Sequence, residues 1–292
     1  MEKILITGSG LLANSLSNKF PNSECFFTYR KNQLSIKNSI FLDITNKNEL
    51  EKNILTINPD IIIHTAAITD LDWSEKNESS TFSVNAYATE HIQELAERVN
   101  AKMVFISTDS VFDGKYGNYK EDDEVNPINI YSKSKVLAEN SIKHYKKSLI
   151  IRGTFFGLKN SKKESFFSYL LNELKNNKII KIPKDKISNG MFVDDYSRII
   201  AEMCKKDMNG IFHLGTKDSK NNVEFAKHLA KMYNFNEELI KECFFDDVFR
   251  ERKLIAKRPL NTVLDVEKIS KEIELPTIKQ VMNSFARNYN LT

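Results

Sequence analysis

Short continuous runs of apolar residues alternate, over the first half of the chain, with stretches whose apolar positions recur at helical spacing. "KILIT", "CFFTY", "SIFLD", "DIIIHTAA", "KMVFIST" and "SLIIRG" predict six strands. "LLANSLSNKF", residues from about Asn46 to Thr56, roughly Ser80 to Val99, and "YSKSKVLAENSIKHY" predict helices between them. Strands that are apolar throughout fit a parallel sheet covered on both faces. Right-handed crossovers then make an α/β, doubly wound sheet.

After Arg152 the pattern loosens. Helices are expected near Phe166 to Asn176, Asp194 to Lys205, Val223 to Tyr233, Asp265 to Ile273 and Thr277 to Tyr289, with a strand at "GIFHLG". The expected division is a dinucleotide-binding domain over 1–155, with 189–215 returning to it. Residues 156–188 and 216–292 then form a smaller C-terminal substrate-binding lobe.

Composition narrows the class. The chain has 292 residues, 41% of them hydrophobic, which is ordinary for a globular protein. The net charge of +4 is mild, and Lys and Asn are scattered rather than blocked, which speaks against a nucleic-acid surface. Cys25, Cys204 and Cys243 are far apart and give no metal or disulfide framework. The first apolar run breaks at Gly8, so no signal peptide is expected, and no run reaches the roughly 18–20 apolar residues of a membrane span. A cytoplasmic protein is expected, with no resident metal.

Chemistry enters at "ITGSGLLANSL". Gly8, Gly10 and Ala13 form G-x-G-x-x-A directly after the first strand and opening a helix. Glycines there allow a tight turn and close approach of backbone to a pyrophosphate, the Rossmann arrangement. The second strand, where an acid would read a ribose 2′-hydroxyl, is followed instead by Arg30 and Lys31. Cations there fit a 2′-phosphate, so NADPH is expected, with NADH as the alternative; Arg30 as a solvated loop end stays open. Asp43, at the end of the third strand, is a candidate for the adenine amino group or an acid in a helix's first turn.

In this fold ligands sit beyond the carboxyl ends of the strands. Strand five ends in "STDSVFDG", and the helix carrying Tyr131 follows. Tyr131 and Lys135 are one helical turn apart and share a face. The same spacing at Tyr116 and Lys120 falls in a Gly- and Asp-rich loop, where it has no geometric meaning. A ketone that receives a hydride needs a proton. A free tyrosine has a pKa near 10, and a neighbouring ammonium is expected to lower it. Tyr131 is therefore the expected general acid, Lys135 its partner, and Thr108 the hydroxyl holding the carbonyl oxygen.

With "NPDIIIHTAAITDLDWSE", "FISTDSVFDGKYGNY", "NPINIYSKSKVLAE" and "KRPLNTVLD", the chain resembles the extended short-chain dehydrogenase/reductases, and within them the dTDP-4-dehydrorhamnose reductase family. The resemblance implies reduction of the C4 ketone of a nucleotide-linked 6-deoxyhexose by NADPH or NADH. It implies that Thr108, Tyr131 and Lys135 are catalytic. Gly8, Gly10, Leu11, Leu12, Arg30, Asp43, Ile44, Ala66, Ala67 and Thr69 would line the cofactor, with Tyr131, Lys135 and Asn85 on its nicotinamide side. Asp109, Val111, Phe112, Phe155 and Arg258 would meet the substrate; Arg258 as an inter-lobe arginine stays open. A homodimer is plausible for the class.

Two segments depart from the family pattern. "RGTFFG" stands for a longer Trp-containing segment after strand six, and "DKISNGMF" for "DQ-x-G-x-PT". Both shape the sugar site, so nucleotide and sugar stay open. Lys159, Lys162 and Lys163 are candidates to attract a diphosphate or are loop cations. Asp109 is followed by Ser110, where related dehydratases carry glutamate, which disfavours elimination. An epimerase on a GDP- or CDP-linked sugar and a regulatory subunit of methionine adenosyltransferase are the competing readings.

Overall fold

The computed structural model describes residues 1–158 and 166–288. The elements run β1 (Lys3–Thr7), α1 (Leu11–Leu16), β2 (Glu24–Tyr29), β3 (Ser39–Phe41), α2 (Lys47–Ile57), β4 (Ile61–His64), α3 (Leu71–Lys76), α4 (Glu78–Phe82), α5 (Ala88–Arg98), β5 (Lys102–Ile106), α6 (Ile130–Ile142) and β6 (Ser148–Gly153). They continue with β7 (Phe155–Phe156), α7 (Phe166–Lys175), β8 (Ile180–Pro183), β9 (Ile187–Ser188), β10 (Met191–Phe192), α8 (Val193–Lys205) and β11 (Gly210–Leu214). Last come β12 (Lys220–Asn221), α9 (Asn222–Met232), β13 (Ile240–Cys243), α10 (Phe245–Glu251), α11 (Glu267–Ser270) and α12 (Ile278–Asn288).

Seven strands form one sheet in the order β11-β6-β5-β4-β1-β2-β3, every pair parallel. Successive side chains point to opposite faces, and both faces are apolar. Ile4, Ile6, Ile63 and Val104 pack with Leu12 and Leu16 of α1 and Tyr196 and Ile200 of α8. Leu5, Ile62, Met103 and Phe105 pack with Leu50 and Ile54 of α2, Ile92 and Leu95 of α5, and Ile142 of α6. The first cluster runs on into Phe167, Leu229 and Phe285, so the C-terminal helices share a core with the sheet.

Asparagine sets many of the boundaries. Asn46, Asn129 and Asn221 cap α2, α6 and α9, each accepting from a backbone N–H inside its helix. Six of the eight described non-glycine residues with positive φ are asparagines, including Asn58 at the end of α2. Asn tolerates the left-handed region better than most residues. Part of the Asn bias therefore serves turns and caps rather than open surface.

The single helix expected over roughly Ser80 to Val99 is divided. A π-type turn over Ser83–Tyr87 separates α4 from α5. Short strand pairs follow α7: β8 pairs with β13, and β9 with β12. Among the described residues, no helix is long and apolar enough to cross a membrane.

Candidate active site

One cavity of about 770 Å³ opens over the carboxyl ends of β1, β2, β4, β5 and β6. This is the switch point of the sheet, where the chain leaves β1 toward both edges. Gly8, Gly10, Leu11, Leu12, Arg30, Asp43, Ile44, Ala66, Ala67, Thr69, Thr108, Tyr131, Lys135 and Phe155 all line it.

The glycine turn has the shape a pyrophosphate needs. Gly8 has φ +96, and a Cβ there would lie 3.0 Å from backbone atoms of Ala66. Its N–H is held by Thr28 Oγ1 at 3.0 Å. A Cβ on Gly10 would meet nothing within 4 Å, so that space is free for a ligand. The turn enters α1 without a side-chain cap. Arg30, Lys31 and Asn32 stand at the far end of this half. Arg30 Nε lies 2.9 Å from Asp43 Oδ2, and Asp43 also accepts from the Thr45 N–H and hydroxyl. These residues fit a dinucleotide with an extra phosphate on its adenosine ribose.

Tyr131 sits in the first turn of α6, fixed by the Asn129 cap, whose side chain accepts from Ser132 N at 2.8 Å. Thr108, just past the end of β5, lines the same cavity wall. Lys135 is buried one turn along, with Nζ 3.9 Å from the centre of the Phe105 ring. The expected depression of the tyrosine is not found. Burial pushes Tyr131 up to about 12, with the Thr108 side chain opposing and the nearby Asp109 carboxylate adding to it. Burial likewise brings Lys135 down to about 7, against the pull of Glu139. In the unliganded chain desolvation outweighs the pairing that spacing suggested. Tyr131 is thus a phenol with a proton to give, which is what a reductase acid requires.

Behind the pair lies a buried ion cluster. Arg152 Nη2 is 2.7 Å from Glu139 Oε2, and Glu139 also accepts from the Ser107 hydroxyl. Ser107 adjoins Thr108, so the cluster anchors the end of β5 to α6. Asn85 is buried and does not reach the cavity. Its side chain accepts from Ile68 N at 2.8 Å and donates to Ile68 O and Ser134 Oγ, both at 3.0 Å. It positions the cavity wall after β4 rather than touching the cofactor space.

Four of the expected substrate residues fall elsewhere. Val111 and Phe112 are buried in a small core, Phe112 stacked on Tyr119 at 4.2 Å. The 3-10 turn over Asp109–Val111 turns the chain inward just past Thr108. Arg258 does not line the cavity; its guanidinium lies 2.9 Å from Asp72. Asp109 is also buried and off the wall, accepting from Thr262 Oγ1 at 2.6 Å. Lys159, Lys162 and Lys163 lie outside the described residues. The sequence reading missed Phe225, Lys220, Asn222 and Ile278, and reached Phe156 only through "RGTFFG"; all five line the cavity. The four missed residues come from segments without a recognisable motif, brought in by the β9–β12 pairing, α9 and α12.

A family model described as the RmlD substrate binding domain matches residues 1–290. The dTDP-4-dehydrorhamnose reductase of Aggregatibacter actinomycetemcomitans is 31% identical over 284 residues, which span 92% of each chain. The structure of a hypothetical dTDP-4-dehydrorhamnose reductase from Sulfolobus tokodaii is similar with a TM-score of 0.83 at 33% identity, over 94% of this chain and 96% of that one. That of the Bacillus anthracis dTDP-4-dehydrorhamnose reductase in complex with NADP gives 0.88 at 25% identity over 99% of both. With the glycine turn and the Thr108–Tyr131–Lys135 arrangement at the sheet's switch point, this match over nearly every residue places the chain in the RmlD substrate binding domain family.

Proposed function

We propose that this chain is an NADPH-dependent reductase of the C4 ketone of a nucleotide-linked 4-keto-6-deoxyhexose, of the dTDP-4-dehydrorhamnose reductase type. It would serve sugar-nucleotide biosynthesis for surface polysaccharide, in the cytoplasm. The observation that carries this reading is the convergence of Thr108, Tyr131 and Lys135 on the wall of a cavity whose other half is the glycine turn.

NADPH, when bound, supplies the hydride. Gly8 and Gly10 would take its pyrophosphate, and Arg30 and Lys31 its 2′-phosphate. Thr108 holds the ketone oxygen in line. Tyr131 Oη gives that oxygen a proton as the carbon is reduced, so the ketone becomes a secondary alcohol. Lys135, on the same face, holds the nicotinamide ribose and, while charged, stabilises the phenolate left on Tyr131. Residues 156–188 and 216–292 would form the sugar-nucleotide lobe, with Phe155 on the substrate side.

The test is NADPH consumption with dTDP-4-keto-L-rhamnose, run beside the unepimerised sugar, GDP- and CDP-linked 4-keto-6-deoxyhexoses, and NADH. Consumption with the rhamnose precursor supports the reading in full. Consumption with only another sugar keeps the reaction and changes the substrate. No consumption with any of them, in protein that binds NADPH, overturns it.

A further inference from the structure

Among the described residues, four cations line the cavity: Arg30, Lys31, Lys135 and Lys220. Three have work in the scheme above, on the cofactor or beside Tyr131. Lys220 does not. It stands with Ser188, Asn222, Phe225 and Ile278, and the β9–β12 pairing sets it directly opposite Ser188. Among the described residues the cavity has one acid on its wall, Asp43, and Arg30 already holds it. Among the described residues, Lys220 has no ion pair.

The surroundings add to its field. Lys279 at the start of α12 is also without an ion pair among the described residues. Burial first, and then Lys220, Lys279 and Lys231, hold the His228 imidazole below its ordinary value. The acids nearby are engaged: Glu224 in the cap of α9, Asp218 on the N–H of Ile278 at 2.7 Å, and Glu237 with Lys231. Phe156 and Phe225 line the same cavity, their rings 5.1 Å apart and edge to face. A cation without an ion pair among the described residues, beside polar Ser188 and Asn222 in a cavity that also holds an aromatic pair, matches a ligand with phosphate charge and a flat ring.

We propose that Lys220, with Ser188 and Asn222, is the subsite for the diphosphate of the nucleotide sugar, and that the Phe156–Phe225 wall receives its base. This rests on the reductase reading and names residues for the second ligand of that cavity. Lys220 lies in a segment without a recognisable motif, so the proposal belongs to this chain's own residues.

The experiment is calorimetric titration of dTDP into the NADPH-loaded protein, for the wild type, Lys220→Ala and Lys220→Arg. Removing a charge-assisted contact is expected to weaken dTDP roughly 10–100-fold in Lys220→Ala. NADPH affinity should stay unchanged, and Lys220→Arg should restore most of the loss. Unchanged dTDP affinity in Lys220→Ala, or no dTDP binding by the loaded wild type, overturns the proposal. Its failure and that of the reductase reading separate cleanly. Turnover of a keto-sugar with an unchanged KM in Lys220→Ala sinks the subsite alone. Lys220-dependent dTDP binding without any turnover sinks the reductase reading and leaves the subsite standing.

Discussion

Arg258 Nη2 lies 2.9 Å from Asp72 Oδ2, and the other oxygen of the same carboxylate accepts from the N–H groups of Ile255 and Ala256, both at 2.8 Å. One side chain of α3 thus holds the loop that follows α10. Asn129, the cap of the Tyr131 helix, donates to Lys257 O in the same loop at 2.9 Å. Asp72→Asn should lower stability by about 1–3 kcal/mol, since it weakens three contacts at once. A thermal melt with unchanged Tm would show that the segment is held by something else. The Arg258 contact and the two backbone N–H groups, working against burial, hold Asp72 down at about 2. Its folded pKa is below the unfolded one, so its contribution is fully present above roughly pH 4 and is lost as pH falls through about 2. The acid limb of stability should flatten in the Asn variant.

Tyr131→Phe removes the proton and leaves the ring. Turnover is expected to fall by a factor of roughly 10²–10⁴, with NADPH binding nearly intact. Near-normal turnover in a correctly folded variant would take Tyr131 out of the mechanism.

The pH profile tests Lys135. Its pKa, brought down to about 7 by burial, controls the alkaline side, because Tyr131 at about 12 keeps its proton throughout. kcat/KM reports the free enzyme, so it should fall as pH rises past about 7. The stability term has the opposite sign. Between about 7 and the ordinary 10.5 the unfolded chain binds the extra proton, so this group's contribution rises with pH. A kcat/KM flat to pH 9 would remove the Lys135 charge from the reaction.

Arg30→Ala should separate the two cofactors. Losing a charge-assisted contact to a phosphate is expected to weaken NADPH roughly 10–100-fold. NADH, which lacks that phosphate, should change little, apart from what the freed Asp43 does. Equal loss for both would mean that Arg30 acts only through its 2.9 Å contact with Asp43.

The sheet and the Tyr131–Lys135 pair were legible because their signals are local. Burial on both faces writes itself into continuous apolar runs such as "IIIH", and Tyr131 and Lys135 need only one helical turn to share a face. Phe112 and Arg258 misled because nearness in sequence to Thr108, or position in a motif, does not fix where a side chain points. The turn at Asp109–Val111 sends Phe112 into the core, and Asp72 draws Arg258 off the wall. Lys220 was silent for the converse reason. Its place depends on pairing between β9 and β12, which no local pattern encodes. The depressed tyrosine failed on magnitude, since spacing reveals a partner but not the cost of burial.

The π-type turn at Ser83–Tyr87 sets the phase of everything after it. Each residue advances a helix by about 100°. Widening one turn here rotates α5 relative to a continuous helix, so that Asn85 faces Ile68 and Ser134 while Ile92, Leu95 and Ala96 still face the sheet. Shortening the segment by one residue would keep the composition and lose the alignment, forcing a choice between a bonded Asn85 and a packed α5. The extra width works as a gear offset between the wall of the cavity and the core beneath it.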